Sequence, residues 1–194
     1  MMPFMWLALL LAQAGPPAPP KPMTENRPPV PVQPAPTNYP TSPNVDRIFA
    51  LAAMQGNNAE LDMAQLALKQ GTANEVLGYA SKMIAEHEGL MREMQPALRR
   101  VLGTEPRERL AAPDALALRH LESVSPVDFD QDYAVQQIGD HLAALTAFQT
   151  EADNGSDPQL KAMARKWLPS IKAHLELAVD LTQHIGGSSP FKSH

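Results

Sequence analysis

Four polar side chains fall where apolar ones are expected: Glu60, His87, His141 and His174. Alternating steps of four and three from Val76 run through Ala80, Met83, His87, Leu90 and Met94, so His87 shares the inward face of a helix. His141 interrupts the line Ala134, Ile138, Leu145, Phe148, and His174 the line Leu160, Trp167, Ile171, Ala178, Leu181. Glu60 lies on Phe49, Ala53, Gly56, Met63, Ala67, whose small members leave space for a side chain from across a core. A carboxylate or imidazole buried alone costs several kcal/mol, so these groups must be paired or coordinated. One carboxylate and three imidazoles form an N3O donor set suited to a single Zn, Fe(II), Mn or Cu(II) ion. The same four residues fit a metal-free cluster, in which Glu60 accepts hydrogen bonds from the histidines and fixes helix register. Both readings stay open on the sequence.

Other candidates point less sharply. Met83 and Met91 stand one turn either side of His87, and Met63 one turn from Glu60. That spacing raises a soft copper(I) alternative, although methionine is also a flexible core filler. Asp62, Glu86, Asp140 and Glu176 sit about 100° or 200° round from the inward lines and are expected to meet solvent or lysine. There is no Gly-rich phosphate loop, nucleophile elbow or HExxH, so no enzyme class is indicated. The absence of cysteine removes thiolate ligands and disulfides. A net charge of -5 with no basic cluster argues against nucleic acid as a partner. A non-enzymatic interaction module of the cell envelope is the alternative function class; no particular protein partner is readable.

Helices must bring these residues together, and the punctuation for them is clear. Ser42-Pro43, Ser125-Pro126 and Asp157-Pro158 each place an N-cap oxygen before a proline at the first helical position. Thr72 and Glu75 have the spacing of a capping box. Gly71, Gly103, Gly155 and Gly186-Gly187 stand where helices end and are expected to take left-handed caps. The pattern predicts helices at about 44–70, 73–102, 126–153 and 158–185. A long connection, 104–125, carries a short extra helix within Pro113–Glu122. Short links between the first and second, and the third and fourth, predict an all-α antiparallel four-helix bundle over 44–186. With residue 72 as the first turn, Glu60 and His87 lie 12 and 15 residues away; with residue 155 as the second, His141 and His174 lie 14 and 19. At about 1.5 Å per residue, all four fall within one or two turns of a common level.

The N-terminus has a different character. The apolar run Phe4–Ala12 followed by Ala12-Gln13-Ala14 is expected to be a signal peptide, residues 1–14, cleaved before Gly15. An uncleaved membrane anchor is the alternative, because no Lys or Arg precedes the run. Residues 15–43 are proline-rich and predicted to be a disordered linker, and 187–194 a disordered tail. The expected location is outside the cytoplasm, periplasmic or associated with the outer membrane.

The stretch Ala59–Ala67 containing Glu60, then Met83-Ile-Ala-Glu-His87, Gly139-Asp-His141 and Leu168–Glu176 containing His174 resemble the bacterial family catalogued as domain of unknown function 4142. The likeness covers about 44–185. It implies a ferritin-like bundle of the cell envelope, often labelled an outer membrane protein, and brings no established activity. Ferritin-like di-iron proteins carry Glu-x-x-His on each of two helices. Here the residues three before His87 and His174 are Ile84 and Ile171, so the usual ferroxidase chemistry is not expected.

Overall fold

The computed structural model describes residues 43–103 and 109–186. The predicted leader, nearly all of the linker, and the tail lie outside the described residues. Five helices make up the described chain and no strand occurs in it: α1 Pro43–Gln70, α2 Asn74–Leu102, α3 Ala112–Ser123, α4 Pro126–Asn154 and α5 Pro158–Gly186. The four long helices and the short one in the long connection stand where proline and glycine punctuation placed them.

Helix α1 packs on α2 and α4, α5 packs on the same two, and α3 lies against α1 and α4. Side-chain partners run in opposite order across each pair. On α2, Glu86, Glu93 and Arg100 meet His174, Lys166 and Asp157 of α5 and its leading turn. On α1, Asp46, Phe49 and Glu60 meet Ser156, Phe148 and His141.

Two apolar clusters form the core. One gathers Met63, Tyr79, Met83, Phe129, Tyr133 and Ala178; the other Phe49, Leu90, Met94, Leu98, Phe148 and Ile171. Along α2, His87 falls between Met83 of the first cluster and Leu90 of the second; along α5, His174 falls between Ala178 and Ile171 in the same way. The histidines therefore occupy a polar layer between two dry ones, where burial is deep and alternative partners are few. Met63 and Met83 belong to the packed core of the first cluster.

The turns differ from the expected local caps. Thr72 and Glu75 do not form a capping box, and no side chain caps α2 locally. Instead Asp130 of α4 reaches across, accepting from Thr72 N at 3.0 Å, Thr72 Oγ1 at 2.6 Å and Ala73 N at 2.9 Å. Asp46 of α1 does the same for the other turn, accepting from Ser156 N at 2.7 Å and Asp157 N at 3.1 Å. Ser125 turns its hydroxyl to Asp128 rather than capping a backbone amide. Asp157 does cap as expected, its Oδ1 accepting from Gln159 N and Leu160 N at 3.0 Å each.

Among the described glycines only Gly103, at φ 79°, has a positive φ. Gly155 has φ -58°, and its lack of a side chain serves space, since a Cβ there would overlap the Glu151 carboxyl. Because Asp130 satisfies the orphan amides at the start of α2 from a different helix, Asp130→Ala is expected to cost about 1–2 kcal/mol in urea denaturation. Glu75→Ala should leave the midpoint almost unchanged, and the reverse order would restore the local cap.

Candidate metal centre

His87 of α2, His141 of α4 and His174 of α5 converge. Their ring centroids are 5.8 Å (His87 to His141), 5.5 Å (His87 to His174) and 5.3 Å (His141 to His174) apart. One ring nitrogen from each lies within 4.8 Å of the other two. His141 and His174 are only 2% and 4% exposed, and His87 is partly buried with its Nε2 closed off from solvent.

Each ring has one nitrogen engaged and one bare. His87 Nδ1 lies 3.2 Å from the Asn57 side-chain oxygen, His141 Nδ1 is 2.9 Å from the Gln137 carbonyl, and His174 Nε2 is 2.6 Å from Glu86 Oε2. All three partners are acceptors, so the engaged nitrogen carries the proton and donates it. The opposite nitrogens, His87 Nε2, His141 Nε2 and His174 Nδ1, then hold lone pairs, and all three are buried without a hydrogen-bond partner. Acceptors outside the ring that fix the tautomer and orient the free lone pair are the usual support of a metal-ligating histidine. Glu86 is itself held by Lys82 one turn earlier.

Electrostatics keep the rings neutral. Burial lowers the His87 pKa to about 3, with the neighbouring His141 and His174 adding to the effect, and lowers His141 to about 4. Burial also lowers His174, though the Glu86 carboxylate draws it back up. Burial pushes the Glu60 carboxyl well above the ordinary range, and the Asp140 charge pushes it further. Asp140 rises to about 6, chiefly through burial.

Of the four residues expected from the sequence, the three histidines form the mutually close set. Glu60, 6% exposed, stands beside the other nitrogen of His141, its Oε1 3.9 Å from Nδ1, while its Oε2 has no partner. The sequence reading missed Asn57, Gln137 and Glu86. Glu86, expected to meet solvent or lysine, is held by Lys82 and in addition faces His174, and Asp140 is part-buried against Gln136; Asp62 and Glu176 meet Arg109 and Lys172 as expected of outward acids. The one available signal for Glu86 was its place beside His87, on the flank of α2 that turns toward α5.

The described helices include none long and apolar enough to cross a membrane. No curated protein and no solved structure matches the chain. The family model described as Domain of unknown function (DUF4142) matches residues 31–181, a span that contains all three histidines and most of the helical core. By that match the chain belongs to the DUF4142 family.

Proposed function

We propose that this chain is an exported ferritin-like protein that binds one divalent metal ion through His87, His141 and His174. The observation that carries the reading is the trio of bare, buried nitrogens, each backed by an acceptor on the far side of its ring. Three neutral imidazoles without a carboxylate among them suit Zn(II) or Cu(II) better than Mn(II). Three protein ligands leave a fourth position for water or another ligand. Glu60 would reach the ion only after its side chain turns away from His141 Nδ1, which favours a three-histidine set over the N3O set.

Several observations support the ferritin-like assignment. Opposite order of partners across α1/α2, α1/α4, α2/α5 and α4/α5 gives an antiparallel bundle in which α2 and α4 are parallel and diagonal. That arrangement requires one long crossing, and residues 103–125 with α3 supply the length for it. Export rests on the apolar run at Phe4–Ala12 and the small residues after it.

A purely structural hydrogen-bonded cluster fits less well, because its members would satisfy one another, and three imidazole nitrogens do not. Calorimetric titration of chelator-stripped protein with Zn(II) is expected to saturate at one ion per chain. Saturation by none of Zn(II), Cu(II), Fe(II) or Mn(II) would refute the proposal. Glu86→Gln keeps the shape at the outer face of His174 while removing the charge, and should weaken zinc affinity by about 10- to 100-fold in competition with a chelating dye. Unchanged affinity in that variant would mean that Glu86 serves only Lys82.

A further inference from the structure

A cavity of about 410 Å³ lies chiefly between α1 and α4, with His87, His141 and Ile171 also in its wall. Its size falls among ordinary small-molecule pockets. It exists because both helices carry small residues there: Ala53, Gly56 and Ala59 on α1, and Ala143, Ala144 and Ala147 on α4. Gly56 is informative. A glycine inside a helix costs roughly 0.5–1 kcal/mol relative to alanine, and a Cβ at this position would meet nothing within 4 Å. A side chain there would project into open space rather than against a neighbouring residue.

The acidic groups on the wall have no basic counterpart among Lys and Arg. Glu60, Asp114 and Asp140 line the cavity, from α1, α3 and α4, and no Lys or Arg is among the described residues lining it. Glu60 Oε2 is buried without a partner. Asp140 accepts from the uncharged Gln136 amide, at 2.9 and 3.0 Å. The uncharged polar groups on the wall are Gln55, Asn57, His87 and His141, and the remainder is apolar, Phe148 and Ile171 included. Carboxyl groups facing an apolar void without a counter-charge repel anions and leave unmet demand for a cation with an apolar body.

We propose that this cavity binds a small organic cation, a primary ammonium on a compact apolar body, with the ammonium against Glu60, Asp114 and Asp140 and the body between Gly56, Ala144 and Phe148. The contacts proposed are carboxyl and apolar groups, and they do not depend on an ion at the bare nitrogens of the histidines. Chelator-treated protein is therefore the material for the test, so that failure here is independent of failure to bind zinc. The probes are phenethylamine, the uncharged 2-phenylethanol and the anionic phenylacetate, titrated by calorimetry. Phenethylamine is expected to bind about tenfold or more tighter than 2-phenylethanol, and phenylacetate not at all. Asp140→Asn should narrow the gap between amine and alcohol. Gly56→Leu and Ala144→Leu, which fill the cavity from opposite helices, should each abolish amine binding while keeping helical circular dichroism; if one fails to fold, the other carries the test. The proposal is overturned if the amine does not bind, if the alcohol binds equally well, if phenylacetate binds, or if the amine binds undiminished in a folded cavity-filling variant.

Discussion

Zinc at a hundredfold excess over its dissociation constant is expected to stabilise the protein by about 2.7 kcal/mol, a rise of roughly 5–10 °C in melting temperature. His141→Ala should lose that rise entirely. His141 is the sharpest choice because it is 2% exposed and its ring stands within 5.3 and 5.8 Å of the other two. Removing it also leaves a void, so the absolute melting temperature will fall whatever its role. The decisive quantity is the zinc-induced difference within each variant, since a structural histidine leaves no difference to lose. If His141→Ala responds to zinc as the parent does, the ion is bound elsewhere.

The acid limit of this effect follows from burial. An exposed histidine competes for protons near pH 6.5, whereas His87 and His141 are held to about 3 and 4. Zinc stabilisation should therefore persist at pH 5 and fade only toward pH 4. The metal-free fold behaves differently over the same range. Its histidines are neutral while those of the unfolded chain protonate below 6.5, so their contribution to stability, present above that pH, is lost as pH falls toward the folded values.

How much of this was legible in the sequence depended on the range of the interactions. Proline at Pro43, Pro126 and Pro158 acts within one turn, and the helix starts were readable from it. The inward placement of His87, His141 and His174 followed from periodicity, which records the direction of a side chain around its own helix. Periodicity does not say which neighbouring helix lies off that direction. Periodicity therefore gives Glu86 only solvent or a lysine, and it does meet Lys82, but its second partner, His174 on α5, is 88 positions away. The turn caps failed for the same reason. Asp130 and Asp46 act across 58 and 110 positions, and nothing near Thr72 or Ser156 announces them. Glu60 is buried as its place on the inward line predicts, but which nitrogen of His141 it stands beside is a matter of rotamer and ring face that spacing does not encode.

Glu151 provides the second large effect. It is fully buried at the end of α4, packed against Gly155, and neither carboxyl oxygen has a hydrogen-bond partner. Burial, with the Asp46 charge next to it, raises its pKa to about 7, only partly offset by Lys161. An acid whose folded pKa is raised favours the fold while protonated, so its contribution is fully present below the unfolded value near 4.5 and is lost as pH rises through 7. The loss should be on the order of 1–3 kcal/mol once solvent screening near the turn is allowed for. Glu151→Gln keeps the volume and cannot ionise. The free energy of unfolding of chelator-treated parent, minus that of Glu151→Gln, should therefore fall between pH 5 and pH 8. The subtraction cancels the histidines, whose opposite slope both proteins share. A difference that stays constant with pH would mean that Glu151 ionises freely in the fold, and that Gly155 makes room for a solvated carboxylate rather than a buried acid.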